Sequence, residues 1–286
     1  MANLKEIRNR IASVSSTMQI TSAMKMVSAA KLKKAQDAIT AMRPYANKLT
    51  ELIQNLSGSM DMDAGSAYAD ERPVQKVLVV TITSNRGLCG AFNSNVIKQC
   101  ISLQEDTYKD KEVHFMAIGK KGNDLLRKKN TVIANHSTVY DDLSFDNVAE
   151  IAKELMTYFS EGTYDHIVMV YNKFKNAATQ ILMTEQFLPI VASKSESSSA
   201  TDYIFEPEQE RIVMELIPKS LKTQIYKAVR DSFASEHGAR MTAMHKATDN
   251  ASELRDQLKL TYNKARQAAI TNEILEIVGG AEALNN

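Results

Sequence analysis

The strongest constraint on this chain is a coiled-coil stripe running through its first 43 residues. Leu4, Ile7, Ile11, Val14, Met18, Thr21, Lys25, Ser28, Leu32, Ala35, Ile39 and Met42 follow one another at alternating steps of three and four, with no Pro before Pro44 and no Gly before Gly58. A repeat of 3.5 residues keeps one seam facing a partner helix, and over more than five heptads it predicts a coiled coil rather than a surface helix. The far end of the chain mirrors the first. From Lys219 to Val278 there is no Pro, and Gly238 is the single Gly. Its seam candidates are Val229, Phe233, Glu236, Arg240, Ala243 and Ala247, then Ala251, Leu254, Leu258, Thr261, Ala265, Ala268, Asn272 and Leu275. The join at Ala247–Ala251 breaks the alternation as a stutter would, and Gly279-Gly280 offers a helix stop.

At 1.5 Å per residue each helix would run about 80 Å, longer than a small domain is wide. One leads into the middle of the chain and the other leads out. The expectation is therefore an antiparallel two-helix shaft, from 1–57 and 208–286, on a central domain at 74–207. Composition agrees, since there is no Trp, aromatics make up 6% and there are 14 Met. Helical rods need few large aromatics, and Met fills irregular contacts.

Two features of the first helix need a cause. Residues 1–43 carry eight Lys and Arg against Glu6 and Asp37, a net of +6. Nucleic acid, an anionic membrane surface, an acidic protein partner and a plain solvated face all fit such a helix. Residues 18–30, MQITSAMKMVSAA, place apolar groups on every face although the seam is polar at Thr21, Lys25 and Ser28. A helix apolar all round is buried all round, so more than one partner helix is expected to enclose it. The stretch expected opposite holds Arg266, Gln267, Thr271, Glu273 and Glu276. Charges there would need pairing, and an interhelical ion pair that fixes register is the plainer alternative.

The middle alternates strands with helices. Strands are expected at 76–83, 112–118 and 164–172, with an edge strand at 180–189. Helices are expected at 95–108, 120–129 and 144–159, the last capped by Ser144. Residues 193–202 read as a polar loop. This alternation predicts an open, mostly parallel α/β sheet of the Rossmann-like kind.

A search for chemistry ends without a catalytic constellation. Ser84–Gly90 lies between a strand and a helix, where phosphate loops sit. Yet neither it nor Gly119-Lys120-Lys121-Gly122 matches GxGxxG or GxxxxGK[ST], so both read as tight turns. Cys89 has Arg86 nearby but no His in its loop. Cys89 and Cys100 form no CxxC and are expected to be free thiols. His114, His136, His166, His237 and His245 are scattered, so no metal site, cofactor site or catalytic residue is expected. No segment has the roughly 18 apolar residues of a membrane span, and the N-terminus has no apolar signal-peptide core.

Four motifs in order resemble one family, the gamma subunits of F-type ATP synthases. They are Ile11–Val14 with QITSAMKMVSAAKL (19–32), SNRGLCGAFN (84–93), SEHGARMTAMHKATDNA (235–251) and ITNEILEIVGGAEA (270–283). The resemblance spans essentially the whole chain. It implies a non-catalytic rotor whose coiled coil turns inside a ring of three alpha and three beta subunits. The α/β domain would dock on the c-subunit ring of the membrane sector beside epsilon. By position, Met24 and Lys25 would lie near the acidic beta lever, with Arg240, Gln267, Thr271 and Glu276 on the opposing helix. Tyr203, Phe205 and Glu206 would form the foot on the c ring. Phe205 replaces a residue that is often Tyr in the family. Arg86 and Cys89 would sit in the loop at the base of the shaft. The dithiol insert of chloroplast members is absent, so no thiol switch is expected. The implied location is the cytoplasmic face of a bacterial membrane, held peripherally, without nucleic acid.

Two other classes stay open on sequence alone. A nucleotide-dependent enzyme built on the α/β domain would bind ATP or NAD by itself. A coiled-coil adaptor or nucleic-acid binder would show steeply salt-dependent binding, although residues 1–43 hold no aromatic for base stacking.

Overall fold

A computed structural model describes residues 4–57, 68, 72–190 and 209–285. In chain order the elements are α1 (Leu4–Ser57), β1 (Lys76–Ile82), α2 (Phe92–Ser102), β2 (Glu112–Ile118), α3 (Lys120–Leu126), β3 (Val132–Asn135), α4 (Phe145–Ser160), β4 (His166–Phe174), β5 (Gln180–Leu188) and α5 (Gln209–Asn285). A π-helical turn at Leu103–Thr107 extends α2, and a 3₁₀ turn at Ser137–Tyr140 precedes α4. Two compact units cut across both long helices, Met1–Ser28 with Met241–Asn286 and Ala29–Arg240.

In the larger unit the sheet order is β3-β2-β1-β4-β5, with β1 parallel to β2 and β4, β2 parallel to β3, and β4 antiparallel to β5. Val77 to Ile82 are all fully buried. A parallel strand covered on both faces reads as an apolar run rather than an alternation, which is why KVLVVTI stood out in the sequence. Leu78, Val80 and Ile82 pack with Ile151, Leu155 and Phe159 of α4 and with Leu221, Ile225 and Val229 of α5. Val77 and Val79 pack on the other face with Val96, Ile97 and Cys100 of α2. Ser144 caps α4, its side chain accepting from Asn147 N. The short strand β3 escaped the sequence reading. Its four residues alternate half-buried and exposed on a sheet edge, too brief a run to carry a period.

The smaller unit is an antiparallel helix pair. Arg8, Met18, Thr21 and Lys25 of α1 meet Tyr262, Arg255, Thr248 and His245 of α5 in turn. The expected α1 seam holds here, since Leu4, Ile7, Ile11, Val14, Met18, Thr21, Lys25 and Ser28 are buried or half-buried. On α5 three expectations fail. Met244, Thr248, Ala251, Arg255, Leu258, Tyr262, Ala265 and Ala269 form one unbroken seam, so there is no stutter at 247–251. Leu254, Thr261 and Ala268 lie off it and are exposed. Arg255 and Tyr262 replace them because long side chains cover apolar surface with their bodies while their polar ends stay wet. Nor does α5 stop at Gly279-Gly280, for it runs on to Asn285. Two Gly residues weaken a helix by about 1 kcal/mol each, a cost that does not by itself end one.

Candidate functional site

The pairing overturns the expected partner of the 18–30 collar. Thr21 and Lys25 face Thr248 and His245, not Arg266–Glu276. With Arg8 already level with Tyr262, Arg266 falls at the start of α1, and Gln267, Thr271, Glu273 and Glu276 are exposed. The polar seam explains itself locally. Thr21 Oγ1 and Thr248 Oγ1 lie 2.8 Å apart, so one hydroxyl donates across the pair while the other donates to a carbonyl of its own helix, Met18 O at 3.1 Å or Met244 O at 2.8 Å. Lys25 Nζ lies 3.4 Å from His245 Nδ1. Met24 is half-buried, whereas Ile20, Met26 and Val27 are 60%, 64% and 56% exposed. Farther along α5, Ile274, Leu275, Ile277 and Val278 are exposed as well. Single exposed apolar side chains are ordinary, but rows of them along a helix pair mark an interaction surface.

The other sequence candidates gather at the C-terminal end of the sheet, within the larger unit. The Ser84–Gly90 loop leaves β1, and its first amide, that of Ser84, is already paired. Asn93 Oδ1 accepts from Ser84 N at 2.9 Å, and Asn85 Oδ1 accepts from Lys120 N at 2.9 Å. Thr83 Oγ1 accepts from Gly122 N at 2.8 Å. A phosphate cradle needs such donors free, and the amides of Ser84, Lys120 and Gly122 are taken. The Gly119 to Gly122 turn has a steric cause, because a Cβ on Gly119 would stand 2.1 Å from Thr83 O and Gly119 has φ +122°. Cys89 is buried, donating to Arg86 O, and burial pushes its thiol up despite Ser84. Cys100 is buried and free as well, its thiol raised by burial. Neither thiol has the lowered pKa of a nucleophile.

Arg240 does not face outward. Its guanidinium binds Glu236 Oε1 at 2.7 Å and donates to Arg86 O at 3.3 Å and Gly87 O at 3.4 Å. Both members of the ion pair are more than nine-tenths buried. Burial raises Glu236 while Arg240 draws it down. His237 is held at about 3, first by burial and then by Arg240 and Lys31, so its ring stays neutral. Arg86 and Leu88 point to solvent, the latter at φ 60°. Tyr203, Phe205 and Glu206, and the polar loop at 193–202, lie outside the described residues. Sequence reasoning missed Asn93, Asn172 and Ser235, polar groups that tie this region together. Only the lone Gly238 in a glycine-poor helix signalled a close approach there.

A family model described as ATP synthase matches residues 3–284. The ATP synthase gamma chain of Flavobacterium johnsoniae is 72% identical over 286 residues, covering 100% of both chains. A chain of the Tetrahymena thermophila mitochondrial ATP synthase central stalk and c-ring superposes with TM-score 0.59 at 25% identity, covering 80% of this chain and 99% of that one. A chain of the Euglena gracilis mitochondrial ATP synthase superposes with TM-score 0.71 at 23% identity, covering 98% and 94%.

Proposed function

The chain belongs to the ATP synthase gamma-chain family, and from that premise we propose that it is the rotor of the central stalk. In this reading it couples proton-driven rotation of the c ring to ATP synthesis or hydrolysis in a ring of alpha and beta subunits. The chain itself performs no catalysis. The observation that carries the reading is the outer surface of the helix pair, where Ile20, Met26 and Val27 stand exposed around a polar seam. Each Å² of apolar surface removed from water is worth roughly 25 cal/mol, so a sleeve of other subunits stabilises this pair where water does not. A bearing surface of such side chains makes non-directional contacts, and these survive a change of partner as the helix turns.

Lys25, at the polar seam, and neighbouring Met24 then meet an acidic lever on beta, while Gln267, Thr271 and Glu276 meet the ring from α5. Arg240 contributes from inside its own unit. Arg86, exposed in the loop that buries Cys89, lies at the base of the shaft. Tyr203, Phe205 and Glu206 form the foot on the c ring, with epsilon beside the sheet. Among the described residues no helix is long and apolar enough to cross a membrane. The chain is proposed to be peripheral on the cytoplasmic face of a bacterial inner membrane, held there by its partners. Inverted membrane vesicles test the reading. Vesicles lacking this chain should lose ATP-driven proton uptake and regain it when the chain is supplied with alpha and beta. Uptake that persists without the chain, or micromolar ATP binding to the isolated chain in calorimetry, contradicts it.

A further inference from the structure

An open parallel sheet holds its ligand in the crevice outside the carboxyl ends of its strands, where the strand order reverses. In the order β3-β2-β1-β4-β5 that point lies between β1 and β4. Here the crevice is filled by the chain's own α5. On the β1 wall, Arg240 binds the carbonyls of Arg86 and Gly87, and Ala239 packs with Cys89 and Phe92. On the β4 wall, Ser235 Oγ donates to Asn172 O at 2.9 Å. A Cβ on Gly238 would stand 3.1 Å from Ala177 O and 3.3 Å from Ala177 Cα. The two walls are themselves joined by Asn172 Nδ2, which donates to Phe92 O at 3.2 Å. Every residue from Ala234 to Arg240 is buried. This explains Gly238. A glycine weakens a helix interior relative to alanine, and here it lets helix backbone lie against hairpin backbone.

We propose that this crevice, the ligand site of the topology, serves as a keyed joint through which torque on the sheet passes into α5. Arg240, Ser235 and Gly238 are its positioning residues. The inference rests on the rotor reading. A single helix turned about its axis transmits torque only where something grips it off-axis. Hydrogen bonds and backbone contact on two opposite walls are such a grip, whereas one apolar stripe lets a helix roll.

The test uses the assembled complex with its catalytic ring fixed to a surface. A bead is attached at Lys109→Cys, an exposed position, while both native cysteines are buried. The readouts are ATP-driven rotation and the angular variance of the bead during catalytic pauses, which rises as the joint softens. Gly238→Val should wedge the helix from the β4 wall, and Ser235→Ala should delete one anchor without a steric load. Each is expected to raise the variance about twofold, on the scale of one lost buried hydrogen bond. Lys246→Ala, exposed on the same helix, should leave it unchanged. A wild-type bead that never turns overturns the rotor reading. A wild-type bead that turns, with variance equal in Ser235→Ala and wild type, overturns the joint alone. If Gly238→Val fails to assemble, Ser235→Ala decides.

Discussion

Two stretches of the same helix are buried in opposite ways. From Ala234 to Arg240, α5 is enclosed on every side, with Ser235 bonded to Asn172 O and Glu236 to Arg240. From Met244 to Ala269 it is buried along one stripe, with Arg255 and Tyr262 in the seam and large apolar residues outside it. The first stretch is complete within the chain and the second is not. Where polar groups are buried, position is fixed, since each unmet partner is costly. Where a thin stripe pairs with another helix, position is cheap to change and the outer face stays available to other proteins.

The contrast breaks most visibly at Arg240. Arg240→Ala strands Glu236 in a site that burial already disfavours for a carboxylate. The expected loss is about 3–5 kcal/mol, read by urea unfolding of the full chain. Adding Glu236→Gln should recover part of it, and a loss below roughly 1 kcal/mol would show that the crevice is looser than described.

Aspartate placed at either of two neighbouring positions sharpens the seam. Ala251→Asp introduces a charge at a position that is 8% exposed, whereas Leu254→Asp introduces one at 44%. The first should cost about 1–3 kcal/mol for the buried polar group, and the second should stay within about 0.5 kcal/mol. The reverse order would restore the stutter and the seam through Leu254.

Acid should unsettle the crevice through His237. Its folded value of about 3 lies below its ordinary 6.5, so the unfolded chain binds the proton first. Stability is therefore unaffected by this group above pH 6.5 and falls as pH drops from 6.5 toward 3. His237→Gln should flatten part of that decline in urea midpoints measured across this range. An identical decline in both proteins would assign it to other groups.

The smallest effect is expected in the polar seam. Thr21→Val with Thr248→Val replaces both hydroxyls by shapes of similar size, which is near neutral when the two partners leave together. Either single change should be the more destabilising, which a double-mutant cycle reads directly.

The α1 seam was legible because its apolar letters alternate as its buried positions do. On α5 the letters misled, since Arg255 and Tyr262 bury their bodies under polar names while Leu254 stays outside. The strands were legible as apolar runs, except β3, whose four residues lie on the edge. The crevice was nearly invisible, because Asn93, Asn172, Ser235 and Arg240 are far apart in sequence and individually ordinary. Gly238 was its trace, and its meaning needed the hairpin at Ala177. Of the proposed contact residues, Met24 and Lys25 lie beside the helix-pair seam as the pattern implied. Arg240 is turned inward by partners that no spacing reveals.

The central claim is that this chain turns against the ring proposed to surround it. Two disulfides in the assembled complex test it most directly. The first joins Thr21→Cys to Thr248→Cys, whose parent hydroxyls lie 2.8 Å apart, and ties α1 to α5. The second joins Met26→Cys, at a position that is 64% exposed, to a cysteine on the facing ring subunit. Steady-state ATP hydrolysis is measured before and after reduction. The account predicts full activity with the first tie, and activity abolished by the second and restored by reductant. Full hydrolysis with Met26→Cys covalently held to the ring would mean that the chain does not rotate.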